Sequence, residues 1–458
     1  MSRYHGPDQA ARRAAPVAAA CMAAAVILTG CVTSLVGGEG EPAKPHVSIG
    51  ARSLPVARVA YPITATAPPV FLGPAAAERQ AMTMLAKAVG ETHKEMWEKC
   101  ASFWGHENAL LPSRKEWVFY DDGWLSRGVS DFEHGEFLAQ VLVEPEGDPE
   151  AGEAAGIERL RKVVGMALTD TPADLPGRDR VMKEAMGRME QQGMPLPPDW
   201  AEAGPAPDGA QAVLAGILPA DTAGRLSSAT VTRTAVVGED GRERTMLSYR
   251  VPFTEGAYAK LAERYAEAVF REAGEFAMPP SLILAVMETE SAFNPRARSH
   301  IPAFGLMQLV PTSGGLDAHR FVNGESAPML IPESLYDVDT NVRLGTAYLK
   351  LLDTRYLRDV DHPESRLYAA IAAYNTGAGN VARAFNGTTN IGRAAPLINR
   401  LPPEEVFDHL SEQLPFEETR RYLVKVTEAR RRYLDWDRAA ADAQLAARTV
   451  EDTDAETR

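Results

Sequence analysis

The sequence has few of the residues that build disulfide frameworks or metal centres. Only three of its 458 residues are cysteines, Cys21, Cys31 and Cys100, which are too few for a disulfide framework. The nine histidines are scattered, and neither a His-Glu-x-x-His nor a Cys-x-x-Cys motif occurs. We therefore expect no zinc site and no other cofactor. The sequence also lacks the cluster of metal ligands that a metal-dependent peptidase would need.

Positive charge and long apolar runs are also scarce. The 48 Lys and Arg residues are outnumbered by 62 Asp and Glu residues, which gives a net charge of −14 and argues against a nucleic-acid partner. The apolar run Ala14–Leu28 is too short to span a membrane, which takes ~20 residues. Because arginines precede this run, it is typical of a secretory signal peptide.

The signal peptide ends in Leu28-Thr29-Gly30-Cys31, which resembles the bacterial lipobox. The resemblance implies cleavage before Cys31 and a lipid anchor on that cysteine. Val32 in place of an aspartate implies sorting to the outer membrane, with the protein facing the periplasm. The alternative is an ordinary signal peptide in which Cys31 occurs by chance.

The remaining chain predicts an α+β N-terminal domain followed by an all-α domain. The predicted segments are a signal peptide (1–30), a lipidated cysteine with a Gly- and Pro-rich tether (31–75), an α+β domain (76–255), a helical domain (256–437) and a polar tail (438–458). In the α+β domain we expect helices over 75–103, 157–168 and 178–189 and strands over 116–120, 137–143, 230–237 and 245–253. Its tryptophans could stack on sugars, but a tryptophan-rich core is the favoured interpretation.

The segment Ala285–Pro311 contains a carboxylate on an apolar helix. Proline and serine at 279–281 indicate a helix start, and Asn294-Pro295 indicates its end. Ile283, Val286 and Met287 share a helical face with Glu290. Burial keeps a carboxyl protonated, as a proton donor to a glycosidic oxygen requires. The alternative is a structural Glu290 paired with an arginine.

Five motifs follow one another between Glu290 and Tyr422. They are Glu290-Ser291 with Asn294-Pro295, then GLMQ at 305–308, NVRLGTAYL at 341–349, AYNTGAG at 373–379 and ETRRY at 418–422. In this order they resemble the soluble-lytic-transglycosylase (SLT) family, whose catalytic domain is goose-type-lysozyme-like. Segments 103–105, 120–123 and 248–253 more loosely resemble the N-terminal domain of a membrane-bound branch of that family.

The resemblance implies that the helical domain is a lysozyme-like catalytic domain acting on peptidoglycan glycan strands. It implies that Glu290 alone serves as acid and then base at the bond between N-acetylmuramic acid and N-acetylglucosamine, leaving a 1,6-anhydro product. Asp317 and Glu325 are possible second carboxylates. The alternatives are a goose-type-lysozyme-like hydrolase of the same bond and a non-catalytic peptidoglycan-binding envelope protein. No motif identifies a protein partner.

The resemblance also implies a set of substrate-binding residues, which are Ser291, Gly305, Met307, Gln308, Tyr374, Asn375 and Tyr422. Some have a structural alternative. The Ser291 hydroxyl could bond back to its own helix, Met307 could belong to the core, and the tyrosines could be packing residues. Gly305 is expected to allow close approach of the backbone to a sugar.

Overall fold

A computed structural model describes residues 74–145, 149–171, 174–191, 212–226, 229–299, 303–325, 330, 333–443 and 445. The predicted signal peptide, Cys31, nearly all of the tether and most of the polar tail lie outside these residues. The chain divides into two compact units, Met1–Gln80 and Ala81–Arg458, and the second unit contains both the sheet and the helical region. Within the described ranges no helix is both long and apolar enough to cross a membrane.

The first half of the second unit is built on a five-stranded antiparallel sheet with the strand order β1-β2-β3-β5-β4. The strands are β1 (Glu116–Tyr120), β2 (Ser126–Asp131), β3 (Glu136–Val143), β4 (Thr232–Val237) and β5 (Glu243–Pro252). Helix α1 (Pro74–Trp104) precedes the sheet, and α2 (Pro149–Thr169), α3 (Leu175–Arg178), α4 (Arg180–Gln191) and α5 (Thr222–Arg225) lie between β3 and β4.

Alternation along β1 places apolar side chains on both faces of the sheet. Trp117 and Phe119 belong to a core that also contains residues of α2 and of the helical region. Val118 and Tyr120 face the opposite way, into a cluster with Trp104 of α1. Trp104, Trp117 and Trp124 are at most 4% exposed and Trp97 is partly buried, which supports the interpretation of a tryptophan-rich core.

The second half of the unit is helical from Ala257 onward. Its helices are α6 (Ala257–Arg264), α7 (Ala266–Phe276), α8 (Pro280–Ser291), α9 (Gly314–Asn323), α10 (Val338–Leu351), α11 (Pro363–Thr376), α12 (Ala378–Asn386), α13 (Ile391–Ile398), α14 (Pro403–Gln413) and α15 (Glu417–Arg432). A π-helical turn, Leu352–Tyr356, extends α10. The expected α+β region followed by a helical region is confirmed. The domain boundary at 255 stays a prediction, because both halves lie in one compact unit.

Several elements differ from expectation. The sequence did not predict β2, because its buried positions include Ser126, Arg127 and Ser130 rather than alternating apolar residues. Arg127 is accommodated there because its guanidinium stacks 3.9 Å from the Trp104 ring and its Nε donates to Gln140. The amphipathic pattern over 258–276 predicts a single helix, but the structure breaks it at Tyr265, whose hydroxyl donates to the Phe293 carbonyl oxygen inside the core.

A buried ion pair joins the chain before α4 to the segment that follows α8. The Arg298 guanidinium lies 3.0 Å from Asp179 Oδ2, and the two side chains are 2% and 1% exposed. Asp179 also accepts the Met182 backbone N–H at the start of α4. Removing one charge from such a pair leaves the other charge buried and uncompensated.

Asp179→Asn is expected to lower the free energy of unfolding by about 3 kcal/mol or more, since it removes the charge while keeping an oxygen that can accept from Met182. Urea unfolding measures the change. The matched control is Asp122→Asn. Asp122 pairs with Arg180 at the solvent-exposed surface, so this substitution should change the free energy of unfolding little. Equal effects of the two variants would contradict the importance of the buried pair.

Candidate active site

Glu290 occupies the last turn of α8, which is buried on nearly every side. Pro280 supplies the first turn of this helix, where a missing N–H costs nothing. Of its twelve residues only Glu288 and Thr289 are partly exposed. Burial therefore extends well beyond the single stripe of Ile283, Val286 and Met287 that the sequence indicates. Glu288 instead pairs with Arg432 and accepts from the Tyr433 hydroxyl at 2.6 Å.

The environment of Glu290 favours its protonated form. Its side chain is 7% exposed, and burial raises the pKa of its carboxyl to about 7. The positive charge of Arg114 opposes this rise, as does an interaction with Tyr422, while the charge of Glu418 adds to it. Arg114 Nη1 lies 3.8 Å from Glu290 Oε2. The alternative interpretation, in which Glu290 is paired with an arginine, is therefore partly supported. The distance exceeds that of a hydrogen bond, and the carboxyl keeps its raised pKa.

Two tyrosines from different helices approach Glu290. Tyr422 on α15 is 5% exposed, and its hydroxyl interacts with the Glu290 carboxyl, although among the described residues it makes no hydrogen bond of ordinary geometry. Tyr374 on α11 donates its hydroxyl proton to the Met307 carbonyl oxygen at 2.8 Å. Burial and the neighbouring Glu290 charge raise the pKa of both tyrosines well above the ordinary value. Both hydroxyls therefore stay neutral and can donate a proton to a hydrogen bond.

Residues 305–308 form a tight turn held by Asn341 at the start of α10. The Asn341 side chain accepts the Met307 N–H at 2.8 Å and donates to the carbonyl oxygens of Phe304 and Leu335. Gly305 has φ of +74°, and a Cβ there would lie 2.1 Å from the Leu335 oxygen. Gly305 thus permits a close approach to the protein's own backbone, and the expected approach of this residue to a sugar stays a prediction.

Met307 is a core residue by its surroundings. It is 0% exposed, and a Cβ at Gly345 of α10 would lie 2.2 Å from its sulfur. The same tight packing explains why a glycine stands at position 345. The structure thus favours the core alternative for Met307, whose backbone N–H and carbonyl serve the site through Asn341 and Tyr374.

Ser291 ties α8 to this turn. Its hydroxyl lies 2.9 Å from the Met287 oxygen and 2.8 Å from the Leu306 oxygen, and the residue is fully buried. This geometry favours the interpretation in which Ser291 bonds back to its own helix. It positions Glu290 next to the 305–308 turn.

Gln308 and Asn375 each use part of their amide group in hydrogen bonds to the protein. Gln308 Nε2 donates to the Ala297 and Gly305 oxygens, and its buried Oε1 has no partner within the part of the chain that the structure describes. Asn375 Oδ1 accepts from the Thr419 hydroxyl at 2.7 Å, which joins the 373–379 motif to the 418–422 motif. Gln308 also has a positive φ of 48°, a strained conformation of the kind that clusters at functional sites.

Known proteins resemble this chain over both halves. The family described as "Transglycosylase SLT domain" matches residues 267–395. Membrane-bound lytic murein transglycosylase C of Salmonella typhimurium is 30% identical over 365 residues, covering 75% of this chain and 93% of the relative. The protein of that name from Klebsiella pneumoniae is 31% identical and covers 72% and 85%. This chain belongs to the membrane-bound lytic murein transglycosylase C family.

Among solved structures, a lytic transglycosylase of Pseudomonas aeruginosa is 29% identical with a TM-score of 0.27. The match covers 36% of this chain and 23% of that longer protein.

The sequence motifs of the family did not reveal two charged neighbours of Glu290. Arg114 and Lys115 lie in the loop before β1, far outside the matched residues 267–395, and both act electrostatically on Glu290. No motif within the helical region could have indicated them, because it is tertiary contacts, such as those of Asn294 and Arg298 with this loop, that hold it near the site.

The possible second carboxylates have partners of their own. Asp317 accepts from the Tyr356 hydroxyl at 3.1 Å, and Glu325 is 84% exposed beside Arg320. The acid that acts on Glu290 is instead Glu418, which is 60% exposed and lies 3.6 Å from Arg114. Glu290 is therefore the buried acid of the site.

Glu290→Gln is expected to raise the free energy of unfolding above pH 7 by about 3 kcal/mol. The folded protein holds its proton up to about pH 7, whereas the unfolded chain loses it near 4.5. Stability of the original protein should thus fall as pH rises through this window, and glutamine removes that loss. Urea unfolding at pH 5 and pH 8 tests this, and an equal effect at both values would contradict a buried acid.

Proposed function

We propose that this enzyme cleaves the β-1,4 bond between N-acetylmuramic acid and N-acetylglucosamine in peptidoglycan and releases a 1,6-anhydromuramoyl product. One observation carries the proposal. The buried carboxyl of Glu290 has its pKa raised to about 7, and it interacts with the hydroxyls of Tyr422, which is buried, and Tyr374, which is partly buried. A group with this pKa can both give and take a proton near neutral pH.

In the first step Glu290 donates its proton to the glycosidic oxygen as the bond to the muramic acid anomeric carbon breaks. Most glycosidases stabilise that carbon with a second carboxylate, but substrate assistance by a 2-acetamido group is a known exception. The acetamido oxygen attacks the anomeric carbon, and the N-acetylglucosamine part leaves with the transferred proton.

In the second step the ionised Glu290 removes the proton from the 6-hydroxyl of the same muramic acid. The 6-oxygen displaces the acetamido oxygen from the anomeric carbon and closes the anhydro ring. Glu290 is protonated again, and no water is consumed. One carboxyl thus serves both steps, which suits a site in which Asp317 and Glu325 have other partners.

The surrounding amides and hydroxyls are suited to orient the acetamido group. The Tyr422 hydroxyl and Gln308 Oε1 lack ordinary partners among the described residues, so together they offer one donor and one acceptor. The Asn375 amide nitrogen adds a further donor. Ser291, Gly305 and Met307 act indirectly, by holding the turn that carries Gln308.

Glu290→Gln is expected to reduce release of anhydromuropeptides from isolated peptidoglycan by at least about 100-fold, since it removes general acid and base catalysis. Mass spectrometry of the digest measures the product, because a hydrolytic product would be heavier by one water.

The matched control is Glu288→Gln, which removes a carboxyl two residues away that faces Arg432 instead of the site. This variant should retain activity. Full activity of Glu290→Gln would refute the assignment of the acid, and reducing ends in place of anhydro ends would establish the hydrolase alternative.

We further propose that a lipid on Cys31 anchors the enzyme to the outer membrane, with residues 31–75 as a tether to a periplasmic body. The support is the lipobox-like sequence at 28–31 and the relatives, which are described as membrane-bound. An anchor of this kind would let the site reach glycan strands from the membrane.

Cys31→Ala is expected to abolish lipid attachment and to leave the protein soluble or unprocessed. Cys21→Ala, which changes the cysteine inside the apolar run, should leave anchoring intact. Membrane fractionation and mass analysis of the mature N-terminus measure both. A processed Cys31→Ala protein that still sediments with the outer membrane would contradict the anchor.

A further inference from the structure

The loop before β1 is fixed to both halves of the compact unit. The Asn294 side chain donates to the carbonyl oxygens of Ser113 and Arg114, and the Arg298 N–H donates to the Ser113 oxygen at 3.4 Å. On the other side, the Lys115 oxygen accepts the Phe132 N–H at 2.9 Å. Asn294 is 1% exposed, so this residue of the catalytic-helix motif acts as a clamp on the loop.

The clamp places the Arg114 guanidinium between two carboxyls. Its Nη1 lies 3.8 Å from Glu290 Oε2, and its Nη2 lies 3.6 Å from Glu418 Oε1. Both distances are longer than a hydrogen-bonded ion pair. The guanidinium therefore acts on Glu290 through its charge and does not occupy the lone pairs that must exchange a proton with substrate.

We propose that Arg114 is a positioning residue of the transglycosylase reaction, whose charge makes Glu290 able to act first as an acid and then as a base. The inference rests on the proposed function. It assigns a catalytic purpose to the sheet-containing half of the chain, because that half supplies the residue.

A single carboxyl that acts first as an acid and then as a base must be able both to release and to regain its proton. Burial alone does not provide this. Burial and the charge of Glu418 both favour the protonated form of Glu290, and a carboxyl that holds its proton too tightly is a poor donor. The ionised form must also persist until the 6-hydroxyl has reacted. A fixed positive charge beside the carboxyl favours that form.

The charged and titratable groups that act on Glu290 come from three elements. They are Arg114 and Lys115 of the loop before β1, Glu418 and Tyr422 of α15, and Tyr374 of α11. Lys115 is held by Glu133, with Nζ 2.6 Å from Oε1, and its charge is therefore partly neutralised. Arg114 and Glu418 are exposed enough to be replaced without opening the core, and they act with opposite sign.

The test is the pH dependence of kcat/KM for the full-length enzyme in detergent, with soluble uncrosslinked glycan strands as substrate. Activity of the original enzyme should fall as pH rises past about 7, because Glu290 must enter the reaction protonated. Arg114→Gln should move this fall to higher pH by about one unit, and Glu418→Gln should move it to lower pH. Arg114→Lys should restore the original profile.

Lys115→Gln serves as the matched control and should shift the profile less than Arg114→Gln. An Arg114→Gln enzyme that loses rate while its pH profile stays in place would overturn the proposal. If that variant does not fold, an unshifted Glu418→Gln profile would overturn it equally. If the proposed function itself were wrong, the result would be different, because the Glu290→Gln enzyme would then retain activity.

Discussion

The burial of one carboxyl at the end of an apolar helix is the constraint on which the rest of this structure depends. Glu290 lies in the last turn of α8, where the helix carbonyls also disfavour a negative charge. Ala292 and Phe293 then take positive φ, which turns the chain sharply back beneath the site. An acid placed in this way resists ionisation, and the surrounding groups determine by how much.

Most of the motif residues hold the site together instead of facing it. Asn341, Ser291 and Tyr374 bond to backbone atoms of 304–307, and Gly305 and Gly345 allow that turn to pack without overlap. Among the described residues, the groups that we propose for contact with substrate are the Tyr422 hydroxyl, one oxygen of Gln308 and the amide nitrogen of Asn375. A rigid frame with few free polar groups is what precise placement of a sugar amide requires.

The local patterns in the sequence predicted the parts of the site that lie close together along the chain. The apolar stripe and flanking prolines of α8 are local signals, and they indicated a buried Glu290 correctly. Asn294 was expected only to end that helix, and its clamp on the 113–115 loop depends on tertiary packing. Arg114 and the polar strand β2 could not be predicted for the same reason, since their burial depends on partners distant in sequence.

The central claim is that Glu290 in the folded enzyme keeps its proton up to about pH 7. The most direct measurement is the carboxyl ¹³C titration of enzyme labelled at the glutamate side chains, with Glu290→Gln used to assign its resonance. We expect that resonance to titrate with a midpoint at about 7. A midpoint close to 4.5, the ordinary value, would contradict the claim.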